Sequence, residues 1–455
     1  MPRELATRAD SSQKMTTPFP ADDCYITWTF QHLGAHAVVR ASAACKQWRK
    51  VGGEVLRLRH ASSTGPTEWA AALDLDCDPA TDHHQSRQLD PDSMRLMLKP
   101  TLHTSHRMPD IAIVLSTNPM NVAALDKLAT RFPPHVPILG IRATGLVGPC
   151  VAHETSEHFD RRGQLAEVED EPANCVLLGS LPGVELSWAL TYQQAGKRCI
   201  VTHGARRHGG AWWSGVAPRA DVPKLTYPGP LMHHIQQLEE WAPERGYNGG
   251  RFLMLRDSTN SVDPLEALLN GSCGSIPPRL CAGAVVSTLV FKAPGAPARK
   301  VRSIALQLSG AVPCSVVAMP GQVMEDDDVD LVEGSAAVEA QLRYGLARKD
   351  DADRRLHNPP VGPIATAHSV APDAPMLTPT VGLLFTCNGR GEQFHDEANA
   401  EANAIQRVLP GVPVVGVFSG GEVGPSVGGD GERAQGRGNP VIDDLAYTAV
   451  LALFG

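Results

Sequence analysis

Val381-Gly382-Leu383-Leu384-Phe385-Thr386 is the stretch whose reading decides the fold: an apolar run of strand length. It breaks into Cys387-Asn388-Gly389-Arg390-Gly391, a loop rich in residues that tolerate positive φ. Beyond Asp396, expected as an N-cap, Ala398, Ala402, Ile405 and Leu409 recur on one helical face, with Glu401, Asn403 and Arg407 off it. Pro410-Gly411 stops that helix. Val412 to Phe418 then reads as a second buried strand, ending in Ser419-Gly420-Gly421-Glu422. The order strand, helix, strand implies a right-handed crossover and a parallel pair. Both glycine turns therefore fall on the carboxyl edge of the sheet, where open α/β sheets collect ligands.

Two phosphate motifs fail on this loop. Gly389-Arg390-Gly391 has Phe394 where a dinucleotide fingerprint needs glycine, and no Gly-Lys-Ser/Thr follows for a P-loop. What remains is a loop of backbone N–H groups with a cysteine, an asparagine and an arginine, facing a turn that carries a glutamate. A small zwitterion would suit it, with its carboxylate on Arg390 and its ammonium on Glu422; an Arg390–Glu422 ion pair tying the two turns together is the plainer reading. The candidate ligand or client site is Cys387, Asn388, Gly389, Arg390, Gly391, Ser419, Gly420, Gly421 and Glu422. Beside Arg390 and the loop amides, Cys387 is expected to be either the most reactive thiol or a small buried hydrophobe. A nucleophilic role would need His395 as base, and no motif fixes that geometry, so the expectation is a non-catalytic protein.

The same pattern occurs earlier in the chain. Val136-Pro137-Ile138-Leu139-Gly140-Ile141 precedes Gly145-Leu146-Val147-Gly148 as Val412-Pro413-Val414-Val415-Gly416-Val417 precedes Gly421-Glu422-Val423-Gly424. A fainter third copy runs from Phe252-Leu253-Met254-Leu255 to Leu280-Cys281-Ala282-Gly283-Ala284-Val285-Val286. Internal repetition of this kind predicts two related α/β halves whose glycine turns meet across a shared cleft. Convergence is the alternative, since Val-Pro-apolar-apolar-Gly is a natural way to build a buried strand. Asn121 to Arg131 is expected as a helix. Ile111–Leu115, Asn174–Leu178 and Ser303–Leu308 are expected as further strands.

Composition narrows the partners. The 455 residues suffice for two or three domains, and a formal net charge of -8 gives no basic footprint, arguing against nucleic acid. The apolar runs are too short to span a bilayer, and the N-terminus lacks an apolar signal core. The ten cysteines are scattered without a Cys-x-x-Cys pair, which fits a reducing cytoplasm or nucleus. His103-x-x-His106 lacks a completing cysteine pair and the Glu325–Asp330 run lacks EF-hand spacing, so no metal or other cofactor is expected. Trp212, Trp213 and Trp241 lie in a Gly/Arg-rich loop, read as an insertion or a protein-facing surface.

The N-terminal region has a different character. After a polar tail over residues 1–18, Asp23–Leu33, Ala35–Ala44 and Lys46–Leu56 read as three short helices, basic on an acidic chain. Phe19, Pro20, Ile26, Phe30, Leu33, Val38 and Val39, followed by Cys45-Lys46-Gln47-Trp48-Arg49, resemble an F-box, with Phe at the position where the family carries Leu. The resemblance implies that Phe19, Pro20, Ile26, Phe30, Leu33, Val38, Val39 and Trp48 bind a Skp-family adaptor and, through it, a cullin.

Leu384 to Gly391, Gly416 to Pro425 and Tyr447 to Leu451 resemble the C-terminal half of a FIST domain. Leu181-Pro182-Gly183-Val184 and Leu306-Gln307-Leu308-Ser309-Gly310 are similar to motifs of its N-terminal half. The chain departs from that family at Ala318-Met319-Pro320-Gly321, where a Gly-Cys-x-Pro turn is usual, and no strands are recognisable just upstream of Val381. The expected organisation is a tail (1–18), an F-box-like helical module (19–60), a linker (61–106), a FIST N-terminal half (107–324), an irregular acidic linker (325–378) and a FIST C-terminal half (379–455). The fold class is α/β in the mixed α+β sense, a small helical module followed by a body of repeated strand–helix–strand units. The resemblance implies a substrate-recognition subunit of a cullin–RING ubiquitin ligase whose body holds a client or an amino-acid-like ligand. A ligand sensor without a ligase role is the other reading.

Overall fold

The computed structural model describes residues 50–51, 68–75, 109–132, 136–151, 162–169, 171–181, 185–194, 198–205, 225–226, 251–257, 280–309, 314–325, 328–331, 333–346, 365–368, 379–425, 442–445 and 447–455. The chain forms two compact units, one of residues 1–62 with 102–108, the other of residues 63–101 with 109–455. Within the first, only the helical Lys50–Val51 is described. The adaptor-binding residues expected from the F-box resemblance, the His103/His106 pair and the tryptophan loop lie outside the described residues.

The second unit is mixed α+β, mostly strands with few helices, and it repeats three times. The first repeat runs through β1 (Glu68–Asp74), β2 (Ile111–Ser116), α1 (Val122–Ala129), β3 (Ile138–Arg142), β4 (Gly145–Pro149), β5 (Leu165–Glu169) and β6 (Asn174–Ser180). The second comprises β7 (Glu185–Gln194), β8 (Arg198–Ala205), β9 (Leu225–Thr226), β10 (Arg251–Asp257), β11 (Leu280–Val286), β12 (Thr288–Lys292), β13 (Arg299–Val301) and β14 (Ser303–Ser309). The third begins with β15 (Cys314–Pro320), a small hairpin of β16 (Gln322–Glu325) and β17 (Asp328–Leu331), α2 (Gly334–Leu346) and β18 (Ala365–His368). It continues through β19 (Val381–Cys387), the short helices α3 (Glu392–His395) and α4 (Ala400–Val408), β20 (Val414–Ser419), β21 (Glu422–Pro425), β22 (Ile442–Leu445) and β23 (Thr448–Phe454).

Sheet order exposes the repeat. The three large sheets contain β1-β6-β2-β3-β12-β13, β7-β14-β10-β11-β21-β22 and β15-β23-β19-β20-β4-β5, with β8, β9 and β18 added at edges. In each sheet the central pair is parallel, β2 with β3, β10 with β11 and β19 with β20, as the crossover rule requires. Each repeat then sends its next hairpin into a different sheet. β4–β5 completes the third repeat's sheet, β12–β13 the first's and β21–β22 the second's. The copy that is faintest in sequence is therefore a full third of the body, and the two-half expectation becomes three interlocked repeats.

The recurring glycine has a steric cause. In the parallel pairs Gly416 lies opposite Leu384 and Gly283 opposite Met254. A Cβ on Gly416 would stand 2.7 Å from the Leu384 Cβ, and one on Gly283 would collide with the Met254 backbone carbonyl. Alternation does the rest. Leu383, Phe385, Val415 and Val417 point into one core shared by all three sheets, with Leu253, Ile304, Leu139 and Ile113. Leu384, Val414, Phe418 and Leu451 face the opposite way, under Val338 and Leu342 of α2 and Ala404 and Ile405 of α4.

Three expectations change here. The region read as an irregular acidic linker contains α2, whose Val338, Gln341, Leu342 and Gly345 are buried at helical spacing. The strand missing upstream of Val381 is β15, fully buried beside β23. The helix expected from Ala398 begins at Ala400. Asp396 instead ends α3 in the left-handed region at φ 48, and Asn399, at φ 59, stands at the head of α4.

Candidate functional site

Three crossing turns converge where the strands leave one sheet for the next. The Ser287 amide donates to the Arg142 carbonyl (3.0 Å), the Gly420 amide to Val285 (2.9 Å) and the Val285 amide to Gly421 (2.8 Å). The Thr144 hydroxyl closes the ring toward the Phe418 carbonyl (3.3 Å) and lies 2.6 Å from the Asn388 side-chain oxygen. The glycine turns thus meet, as the repeat predicts. They meet backbone to backbone, however, and the Gly420 amide is already engaged.

Of the expected site residues, Asn388, Gly389 and Gly420 are exposed, Cys387 and Gly421 half-buried, and Arg390, Gly391, Ser419 and Glu422 buried. Arg390 turns inward and is fully enclosed. Its Nε donates to Glu401 Oε1 at 2.6 Å, and its Nη1 donates to the carbonyls of Met319 (3.2 Å) and Tyr447 (3.3 Å). The guanidinium also sits 5.7 Å from the centre of the Phe394 ring. The Arg390–Glu422 pair considered from sequence is thus replaced by Arg390–Glu401. The Ala318–Gly321 segment, a departure from the family pattern, supplies one of the carbonyls that hold the arginine.

Glu401, expected off the buried face, lies four residues before Ile405 and three after Ala398, so it borders that face wherever the helix begins, and it is buried. Burial alone would raise its carboxyl, but Arg390 and His395 together hold it below the usual carboxylate range. His395 accepts the Gly334 amide on Nδ1 (3.1 Å), which leaves its proton on Nε2, 3.7 Å from Glu401 Oε1. Both ring nitrogens are thereby directed away from a role as base for Cys387. The Arg390 charge, expected to activate that thiol, is spent on Glu401.

Glu422 is the second buried acid. The Ser419 hydroxyl donates to its Oε1 at 2.8 Å, while Oε2 has no hydrogen-bond partner. Burial pushes its carboxyl up to about 8, against the opposing Ser419 bond and Arg390 charge. A third acid comes from the first repeat's inserted hairpin. Glu167 Oε1 accepts the Ala402 amide at the start of α4 (2.6 Å), and burial, then the Glu401 charge, push Glu167 to about 8. Glu169 likewise accepts the Glu392 amide at the start of α3 (2.8 Å). Helix α2 is held in the same way, its Gly334 and Ser335 amides donating to His395 and to Glu397 Oε2 (2.8 Å).

The result is a buried polar layer between the third repeat's sheet and its helices. Arg390 Nη2, His395 Nε2, Glu401 Oε2, Gln341 Oε1 and Thr386 Oγ1 are buried there without hydrogen-bond partners. Thr386 shares the outward face of Leu384 by strand alternation. Gln341 donates its amide to the Pro320 carbonyl (2.9 Å), next to the Met319 carbonyl that accepts from Arg390. Above the layer, Tyr447 is 44% exposed at a left-handed φ of 49, stacked on Phe394 and lying over Gly389. Sequence reasoning missed Glu401, Gln341, Glu167 and Tyr447. Only Glu401 had a local signal, its spacing from Ile405. Among the described residues no group of three or more His, Cys, Asp or Glu is placed to hold a metal, and no helix is long and apolar enough to cross a membrane.

Comparison with known proteins finds a FIST C domain over residues 297–425. An uncharacterized protein of Mycobacterium tuberculosis is 34% identical over 106 residues, covering 22% of this chain and 23% of that protein. Another, from Mycobacterium bovis, is 48% identical over 46 residues, 10% of this chain and 12% of its own length. Human F-box only protein 22 is 37% identical over 78 residues, 16% of this chain and 19% of that protein. The matched part thus spans about a quarter or less of each of these curated relatives.

Proposed function

We propose that the three-repeat body recognises a small polar ligand through the buried layer beneath the Asn388–Arg390 turn, as a sensor and not as a catalyst. One observation carries this reading. Five side chains from the turn, β19, α2, α3 and α4 each bury a polar atom that has no protein partner. Such atoms are costly in a folded interior unless something else satisfies them. They lie at the carboxyl edge of a parallel strand pair, where α/β sheets bind ligands. The test is thermal unfolding of the full chain in a panel of small amides, amino acids and carboxylates, repeated with Thr386→Val. A saturable rise in Tm that the variant loses supports the reading. No rise with any compound, or one that Thr386→Val leaves intact, overturns it.

A second reading is favoured by the partial match to F-box only protein 22 together with the F-box-like residues from Phe19 to Trp48. In it, the N-terminal module docks a Skp-family adaptor and cullin in the cytoplasm or nucleus, and the body presents a client to the ligase. The two readings are compatible, because a ligand in the body can govern client capture. Trp48→Ala with Val38→Asp should abolish co-purification of adaptor and cullin, since burying a bare carboxylate in an apolar contact costs several kcal/mol. Undiminished co-purification would exclude the ligase assignment.

A further inference from the structure

Strand register allows the three repeats to be compared residue by residue. Each crossing strand passes a parallel pair with Val147 opposite Gly416, Val290 opposite Gly140 and Val423 opposite Gly283. One residue earlier stand Leu146, Leu289 and Glu422. Leu146 and Leu289 are fully buried in the core shared by the sheets, and Glu422 is just as buried. Three residues before them stand Ala143, Val286 and Ser419, also buried. Two repeats thus place an apolar pair where the third places Ser419 and Glu422, bonded to each other at 2.8 Å. The opposing strand makes room, since Ala284 faces Glu422 where Val417 and Ile141 face the leucines. Leucine fills this position twice with no polar atom to satisfy, so packing does not account for an acid there.

We propose that Ser419 and Glu422 form a proton-operated latch on the β21–β22 hairpin: the neutral acid keeps the hairpin on β11, and the ionised acid lets it go. The hairpin joins the second repeat through the Gly283–Val423 and Ala284–Glu422 pairs and through the Gly420 and Val285 amides. Glu422 Oε2 is buried among these without a hydrogen-bond partner. The charges facing it are Arg390, which favours ionisation, and Glu401, which opposes it. Arg390 is already bonded to Glu401 and to two carbonyls. β11, β15, β19, β20 and β23 carry no charged side chain; they contribute the thiols Cys281, Cys314 and Cys387 and the Thr448 amide, which bonds Glu422. β22 carries Asp443 and Asp444, in register with Gly424 and Val423, and β18 carries His368, in register with Ser315. A carboxylate formed here reaches water by parting β21 from β11, which removes the cost of burying its charge. The carboxyl titrates at about 8 in place, against 4.5 when free. The opening constant therefore grows about tenfold per pH unit between those values, and the latch loosens as pH rises through neutrality.

The test is amide hydrogen exchange of the full chain at pH 5.5 and pH 7.5, corrected for the intrinsic pH dependence and read by mass spectrometry. Over β11 and residues 420–425 the opening constant should rise about a hundredfold between the two pH values. At pH 7.5 this segment should open more often than the β12–β13 hairpin, which has Leu289 at the equivalent position. The β4–β5 hairpin is no control, because it carries its own buried acid, Glu167. Glu422→Leu, which installs the residue of the other two repeats, should abolish the rise; Glu422→Gln, which keeps the shape, should do the same. A rise that persists in either variant overturns the latch. So does opening no more frequent than that of β12–β13, which would mean that the acid reaches water by unfolding of the whole body. No rise in the wild type also overturns it, because the carboxylate would then be satisfied in place by Arg390.

Discussion

Glu422 makes the stability of this protein depend on pH in the direction opposite to an ordinary salt-bridged carboxylate. Its side chain is fully buried, and its carboxyl is raised from 4.5 to about 8. Between those values the unfolded chain is ionised while the folded one holds the proton. Stability is therefore fully present below pH 4.5 and is lost as pH rises toward 8. At about 1.4 kcal/mol per pH unit, the loss reaches roughly 3 kcal/mol at pH 7 and levels off near 5 kcal/mol above pH 8. Glu422→Gln keeps the shape and an oxygen to accept the Ser419 hydroxyl, but it cannot ionise. Urea unfolding of both proteins from pH 5 to pH 8.5 should show the variant gaining on the wild type by about 3–4 kcal/mol across that range. Glu167 titrates in the same window in both proteins, so the difference between the two curves isolates Glu422. Parallel curves would refute the reasoning, because they would mean that Glu422 is ionised in the fold and is satisfied by some other charge.

Other consequences follow from the same geometry. Arg390→Ala or Glu401→Ala should each cost about 3–5 kcal/mol by leaving a buried charge alone, while the double variant Arg390→Met with Glu401→Leu should recover most of that loss in urea unfolding. Gly283→Ala should cost at least about 3 kcal/mol, because its Cβ meets immovable Met254 backbone. Gly163→Ala, at φ +79 with nothing within 4 Å, should cost only about 1 kcal/mol. Among the described cysteines, half-buried Cys387 should be alkylated ahead of buried Cys150, Cys175 and Cys314. Arg390→Ala should leave that rate unchanged by mass spectrometry, since the guanidinium is already paired with Glu401.

The fold was legible wherever a residue answers to its sequence neighbours. Val381–Thr386, the glycine stops and the helix before Pro410 follow from local alternation and turn chemistry, and the parallel pairing of β19 with β20 follows from their order. Asn121 capping Ala124 at 2.7 Å is equally local. What escaped were interactions between distant segments. Glu167 looks like an exposed strand position until the first repeat's hairpin lies across α4, 235 residues later. Arg390 could be seen as a recognition residue, but not its inward turn onto Glu401. That turn depends on carbonyls from β15 and from Tyr447, neither of which is near Arg390 in sequence. The residues expected to line one surface cleft therefore differ in depth, with Arg390, Ser419 and Glu422 buried. The exposed ones are Asn388, Gly389 and Gly420, and the charged chemistry lies underneath.

The interlocking also separates the segment that sequence comparison detects from the unit that folds. The FIST C match begins at Pro297, just before β13 inside the second repeat's hairpin, and ends at Pro425, the last residue of β21. It contains β15, β19 and β20, yet stops short of β23, the strand that lies between β15 and β19 in their sheet. It also lacks β4 and β5, which complete that sheet from the first repeat. Excised, residues 297–425 would expose the edges of β15 and β19 where β23 belongs, each a row of unpaired backbone groups along an otherwise buried face. Arg390 would also lose the Tyr447 carbonyl, and Glu422 the hairpin partner that helps to bury it. The polar layer thus extends past the matched segment on both sides, to Glu167 and Glu169 of the first repeat and to Tyr447. Groups of the layer also hold neighbouring elements in place, His395 accepting the Gly334 amide of α2 and Glu167 the Ala402 amide of α4.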